Sequence, residues 1–403
     1  MNTTPTKKKK KPYLYEVDLM RVIFIFGVLL NHTTSAFAGS MGSASWEKTL
    51  LNSTHLMLHF TRMGFMFMTG LVLFLNYYHR PEQNWWAFWK KRYTSVGIPY
   101  LAWNAILVAG LIWGTSGSFS GFWSQFSDAV IHGNRFYLYY VFVTFQLYLI
   151  FPLMIWLFKK TEGHHIQLMV VSFLLELLML FTVKYGYPHW NTASWPYIFR
   201  AYGLNVLIYE MYFMAGAYAA IHYKAVLAFL KQHSRIILGI TAVLSLGTIG
   251  LYWFDLKVLG LDMTHTETPQ QPYIMIYALF MVAVVFIVGL KYAQHRARGI
   301  NPKVENFIHM GARVSFGIYL VQTIPLVLLD GILGQAARFI PDWGLLLLIP
   351  IGYAFVLGGS YLISLFCYYV WPFGWLIGRP QKKRPWKGVA HDKTNTSTSK
   401  TTD

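Results

Sequence analysis

The sequence predicts an all-α fold, a polytopic integral membrane helical bundle of about ten transmembrane helices. Three observations carry this. Only 12% of the 403 residues are charged, about half the ~25% usual in soluble domains. Hydrophobic residues make up 55% and aromatic residues 18%. The apolar residues also gather in runs of ~20, the length that crosses a bilayer. A soluble fold of this length needs far more polar surface, so the composition excludes a cytosolic globular enzyme and intrinsic disorder. A formal net charge of +18 would suit a nucleic-acid binder, but such proteins carry their charge on a hydrophilic surface that this chain lacks, and no nucleic-acid partner is expected. The single Cys367 cannot form an intrachain disulfide, and no Cys/His cluster has zinc spacing, so no metal is expected.

Ten apolar stretches follow in order. The first, 17–38, begins after Lys7–Lys11, and Ala36-Phe37-Ala38 resembles a signal-peptidase site. Asp18 and Arg21 interrupt the would-be signal core, and nine more spans follow, which favours an uncleaved helix. The second, 55–78, places His55, His59 and Arg62 at i, i+4 and i+7, on one stripe of a helix. The third and fourth, 95–114 and 137–158, carry Pro99 and Pro152. Glu176 lies in the fifth, 166–183, and Glu210 in the sixth, 202–222. The seventh, eighth and ninth are 236–254, 273–292 and 313–334. The tenth, 343–375, is overlong and suggests a tilt or a bend at Gly358-Gly359. Residues 1–12 and 379–403 read as solvated basic tails flanking a membrane domain of residues 13–378.

Positive charge fixes the expected direction. With the N-terminus inside and ten spans, Lys48, Arg135, Lys184, Arg200, Lys257 and Arg338 fall outside, and Arg21 and Arg62 fall within spans. The other 26 of the 34 Lys and Arg residues fall inside, Arg313 and Arg379 among them. An odd number of spans scrambles that asymmetry. A multi-pass plasma-membrane protein with both termini cytoplasmic is the expectation.

An ionised side chain at the centre of a membrane helix costs at least ~2.5–3.5 kcal/mol, so each one needs a reason. In the first span, Arg21 and His32 are eleven residues apart, which puts them ~20° from the same face and ~16 Å apart along the axis. Asp18, three residues before Arg21, is placed to pair with it. Taken singly, Arg21 reads as a snorkelling cation and His32 as an interfacial residue; together on one face they point to function. Arg62 lies two turns inside the membrane, with Glu176 or Glu210 as its expected counter-ion.

Several strings carry a family resemblance. Arg21 and His32, separated by ten residues, lie in YEVDLMRVIFIFGVLLNH, with Asp18 at the acidic position. Phe65-Met66-Phe67-Met68-Thr69-Gly70 matches an FFxxSG element. FWKKRYTSVGIPYLAW contains Arg92 and Pro99, and YYVFVTFQLYLIFPLM contains Gln146, Tyr148 and Pro152. Ser315–Gln322 reads SFGIYLVQ. In this order, from about Tyr13 to Trp375, the chain resembles the membrane acyltransferase-3 family, which includes polysaccharide and peptidoglycan O-acetyltransferases and intercellular-adhesin-type membrane proteins. It departs from the pattern at Thr69, which replaces Ser but keeps the hydroxyl, and at Gln322 and Tyr137, where members often carry His. His32 is left as the main titrating candidate.

The resemblance implies a membrane O-acyltransferase that moves an acyl group, acetyl foremost, to a hydroxyl of a cell-surface or lipid-linked glycan. Acyl-CoA (acetyl-CoA) is the co-substrate from the cytoplasmic side, and no cofactor is permanently bound. Arg21 and Arg92 are the expected donor-binding residues, because guanidinium groups clamp phosphates in bidentate fashion. His32 serves as general base or as nucleophile. Asp18, Arg62, Thr69 and Tyr148 support the site, and Trp46, Trp190 and Trp195 could stack on sugar rings or simply form an interfacial belt. With only a short tail after the tenth span, a separate extracellular esterase-like protein is an expected partner. The rival readings are a polysaccharide transporter or flippase, for which no inverted repeat is visible, and a non-catalytic membrane subunit of a glycan synthase.

Overall fold

The computed structural model describes residues 13–114, 119–133 and 135–381. The run Lys7–Lys11 and the polar tail beyond residue 381 lie outside the described residues. Among these residues the fold is helical, with no strand. The helices are α1 (Tyr15–Ser40), α2 (Trp46–His55), α3 (Phe60–Tyr77), α4 (Trp85–Gly114), α5 (Phe119–His132), α6 (Tyr139–Lys160), α7 (His165–Phe181) and the single turn α8 (Tyr197–Arg200). They continue as α9 (Glu210–Ile221), α10 (Tyr223–Gln232), α11 (Ser234–Lys257), the short α12 (Met263–Glu267), α13 (Pro272–Arg298), α14 (Pro302–Val321), α15 (Thr323–Ala336) and α16 (Asp342–Tyr369).

Eight helical segments are long and apolar enough to cross a membrane, and two bent pairs raise the number to ten. These ten follow the ten apolar stretches in order, so the chain is a multi-pass membrane bundle. The bent pairs are Val206–Ile221 with Tyr223–Gln232, at 101°, and Pro302–Val321 with Thr323–Ala336, at 56°. Pro325 favours the second bend, because it has no N–H to donate to the Val321 carbonyl.

Three expectations about the spans need correction. The second stretch is not one α-helix: α2 ends at His55, a 3₁₀ turn occupies Leu56–Leu58, and α3 starts at Phe60. The tenth does not bend at Gly358-Gly359. Helix α16 runs through both glycines to Tyr369, and the surplus length folds into a 3₁₀ segment, Phe373–Ile377, held by Trp103 Nε1 donating to the Leu376 carbonyl at 2.8 Å. Lys184 is not a loop cation. It is buried at the end of the fifth span, where its Nζ donates to Asp255 at 2.5 Å and to the His265 carbonyl at 2.9 Å, tying the π-helical turn Thr182–Gly186 after α7 to α11 and α12.

Helix α1 is the axis of the bundle, in contact with α2, α3, α13, α14, α15 and α16. Its first half enters a core built with α3, α6, α9 and α13 through Met20 and Phe24. Its second half enters another with α14 to α16 through Ile25, Leu29 and Phe37. Helices α3 and α9 cross with backbone in contact. A Cβ on Gly70 would lie 2.1 Å from the Phe213 carbonyl oxygen, and one on Gly216 would lie 2.0 Å from that of Phe67. Small residues permit such crossings in membranes, where packing rather than hydrophobic exclusion drives association.

Two stability predictions follow from this packing. Gly216→Ala should destabilise the bundle by about 1–3 kcal/mol, because the backbone has no room to yield. Lys184→Met should cost about 3–5 kcal/mol by leaving the Asp255 carboxylate buried without its cation, and adding Asp255→Leu should restore most of that loss. Unfolding curves of the purified protein in detergent measure both.

Candidate active site

Five arginines from five parts of the chain meet around one cavity of about 260 Å³. Helix α1 supplies Arg21, α3 supplies Arg62, α4 supplies Arg92, α14 supplies Arg313, and the segment after α16 supplies Arg379. Helix α3 adds Thr69, and α6 adds Tyr139, Tyr140, Thr144 and Tyr148; among the described residues no Asp or Glu lines the space. The expected residues Arg21, Arg62, Arg92, Thr69 and Tyr148 therefore do converge. Arg92 lies 5.8 Å from the Tyr148 ring centre and 5.7 Å from that of Phe88. The Thr69 hydroxyl donates to the Phe65 carbonyl at 2.8 Å, so the Tyr140 hydroxyl, 3.2 Å away, donates to it.

Asp18 does not pair with Arg21. Its carboxylate accepts from the Tyr13 hydroxyl at 3.0 and 2.8 Å and from His309 Nδ1 at 3.1 Å. Burial, followed by that hydrogen bond, pushes the Tyr13 phenol up to about 12, so it stays protonated as the donor. With Nδ1–H committed to Asp18, His309 Nε2 accepts from Arg313 Nη2 at 2.8 Å, and Arg313 Nη1 donates to the Tyr368 hydroxyl at 3.1 Å. Sequence reasoning missed this relay because it assigned Arg313 to the charged flank of a span. The signal was available in His309 and Arg313, four residues apart on one helix face.

Arg62 also departs from expectation. The Glu176 carboxylate accepts from the Met211 N–H at 2.7 Å, and that of Glu210 accepts from the Ser172 hydroxyl at 2.9 Å. Among the described residues no carboxylate lies within ion-pair distance of Arg62. Its Nη1 donates to the Tyr209 hydroxyl at 3.4 Å, and its guanidinium lies over the Tyr139 ring, 4.5 Å from the centre.

A second cavity, of about 840 Å³, lies toward the end of the bundle where α1 finishes. It is lined by His55, His59, Tyr197, Arg200, Tyr202, Glu267 and Gln270, together with Arg62 and Tyr139. Arg62 and Tyr139 are thus the common wall of both chambers. A polar side pocket of about 220 Å³, with Lys48 and Asn52, shares His55 and Glu267 with the second chamber. Trp46, Trp190 and Trp195 are not in its lining; Tyr197 and Tyr202 provide the aromatic surface instead. The interrupted helix still brings His55 and His59 together, with ring centres 4.6 Å apart, and the buried Nε2 of His59 has no partner. No group of three or more His, Cys, Asp or Glu among the described residues could hold a metal ion.

His32 lines neither chamber. Its ring packs on that of Tyr137, with centres 4.1 Å apart. Helix α1 is unbroken from Arg21 to His32, so their axial separation is ~16 Å. Tyr137 holds its position through strain: Phe136 and Tyr137 have φ of 55° and 60°, a conformation that costs about 1–3 kcal/mol for each such residue. The bend between α14 and α15 holds them there. Tyr319 donates its hydroxyl to the Tyr137 carbonyl and accepts from the Tyr140 N–H at 3.2 Å, and Thr323 donates to the Phe136 carbonyl at 2.9 Å. Tyr319→Phe should therefore release the segment, accelerating amide hydrogen exchange in residues 135–140 while leaving α3 unchanged.

A family model described as an acyltransferase domain matches residues 14–365, which include both chambers except Arg379. No curated protein and no solved structure matches the chain significantly. Ten candidate spans, a cationic chamber inside them and a family match over most of the length lead to one conclusion: the chain belongs to acyltransferase family 3 and is a multi-pass membrane acyltransferase.

Proposed function

We propose that this protein is an O-acyltransferase that moves an acyl group, acetyl foremost, from a cytoplasmic acyl-CoA to a hydroxyl of a cell-surface or lipid-linked glycan. The observation that supports it best is the chamber lined by five arginines and no acid. Coenzyme A is a polyanion, and guanidinium groups are suited to phosphates in both geometry and charge. Arg21, Arg92, Arg313 and Arg379 belong to the end where α1 begins, and the distribution of positive charge supports reading that end as cytoplasmic, in a plasma-membrane protein with both termini inside. In this reading a coenzyme held there extends its thioester along the ~16 Å from Arg21 toward His32.

The acceptor enters from the opposite face into the second chamber. Its tyrosines, histidines, Gln270 and Glu267 offer a sugar both flat surfaces and hydrogen-bonding groups. His32, packed on Tyr137 and outside both linings, is the proposed base, so the acceptor hydroxyl has to reach beyond the lining of the second chamber to meet it. Asp18 acts at a distance, through His309 and Arg313, on the donor chamber. A separate extracellular esterase-like protein is the proposed partner for any later transfer.

His32→Ala should abolish acylation of the surface glycan in cells while leaving glycan quantity and protein abundance unchanged; normal acyl content at normal abundance sinks the catalytic assignment. Arg21→Ala should raise the acetyl-CoA concentration needed for half-maximal transfer. Loss of the glycan itself on deletion of the protein would favour an exporter.

A further inference from the structure

Among the described residues Arg62 is the one cation common to both chambers. It is a guanidinium inside a membrane span with no carboxylate within ion-pair distance among the described residues, a placement costing at least ~2.5–3.5 kcal/mol at a helix centre unless something meets the charge. The other arginines of the donor chamber stand near the end where a coenzyme would enter, and Arg313 is already engaged by His309 and Tyr368. Arg62 instead closes the chamber at its far end. Its backbone N–H donates to the His59 carbonyl at 3.2 Å, which continues the helix across the 3₁₀ turn. Its Nη1 is steered by Tyr209, a fully buried residue whose hydroxyl is fixed on both sides. That hydroxyl accepts from Gln270 Nε2 at 2.8 Å and donates to the Gly203 carbonyl at 2.9 Å. The Tyr139 ring covers one face of the guanidinium. The cation is thus oriented before any ligand arrives, which is the condition under which hydrogen-bond donors stabilise developing charge most effectively.

We propose that Arg62 is the oxyanion-stabilising residue of the transfer, donating from its guanidinium to the acyl carbonyl oxygen where the two chambers meet. This rests on the acyl-CoA and hydroxyl-acceptor reading above. In the step, the acceptor oxygen bonds to the thioester carbonyl carbon, and its proton passes to the imidazole of His32. The carbonyl π electrons move to oxygen, and the resulting negative charge is held by Arg62. As the carbonyl re-forms, the carbon–sulfur bond breaks, and the coenzyme sulfur takes the proton back from the imidazolium. Products are the ester and the free thiol, and neither protein residue is changed. A thioester reaching Arg62 from one chamber and a hydroxyl presented from the other would meet at this wall.

The test uses the purified full-length protein in detergent, with acetyl-CoA as donor and glycan from deletion cells as acceptor; coenzyme A serves as the binding probe. Arg62→Met should lower kcat by about 10²–10³-fold, with the Kd for coenzyme A within about twofold of wild type, because remote phosphate contacts remain. Arg62→Lys keeps the charge but loses the planar fork, and should lose at least about tenfold in kcat with the same Kd. If Arg62→Met does not fold, the lysine variant decides. A loss of activity matched by weakened coenzyme binding would make Arg62 a donor-binding residue and overturn the proposal. Activity within about threefold of wild type in both variants would overturn it as well. A wild-type protein that forms no glycan ester would instead refute the proposed function.

Discussion

A guanidinium in hydrocarbon must meet water, an anion or the face of a ring, and this bundle places several around a single cavity within its spans. Much of the local architecture answers that constraint. Tyrosines from α6 and the turn before α9 approach Arg62, Tyr148 and Phe88 approach Arg92, and His309 and Tyr368 accept from Arg313. None of these partners carries a full negative charge. The chamber consequently keeps its positive potential, which in a water-poor space acts far more strongly on an anionic ligand than it would at a solvated surface. Had Glu176 or Glu210 neutralised Arg62, as their position in the sequence suggested, the far end of the chamber would have no charge to offer a ligand.

The frame that holds these cations apart is built from close helix packing. Gly70 and Gly216 let α3 and α9 touch through their backbones, which fixes the helix bearing Arg62 and Thr69. On the other side of the chamber, the bend at Gln322 and Pro325 brings Tyr319 and Thr323 to the carbonyls of Tyr137 and Phe136. The strain stored in those two residues sets Tyr137 against His32. A kinked helix and a strained turn together therefore place the imidazole that the sequence had singled out. Proline and glycine act here through geometry, and neither touches the chamber.

The legible parts of the sequence share a physical basis. Span number and order came from runs of apolar residues, and the alignment of Arg21 with His32 came from helical periodicity, which an unbroken α1 preserves. Local rules failed where a partner lay far away in sequence. Asp18 sits three residues from Arg21, yet Tyr13 and His309 take its carboxylate. Lys184 looked like a loop cation, yet Asp255, some seventy residues later, buries it. The 3₁₀ turn between His55 and His59 interrupts the expected α-helix, while leaving their rings in contact and both on the chamber wall with Arg62.

By itself, the sequence determined that this is a polytopic helical membrane protein of the acyltransferase-3 type with Arg21 and His32 on one helix. Hydropathy, helical period and ordered motifs are properties of neighbouring residues, and they survive whatever the rest of the chain does. Tertiary structure alone decided that, among the described residues, five arginines share one chamber, Arg62 has no acid beside it, and Arg62 and Tyr139 form the wall between two cavities. Those facts depend on which helices cross and at what angle, and helix crossing in a membrane is set by side-chain shape and backbone contact between segments more than a hundred residues apart.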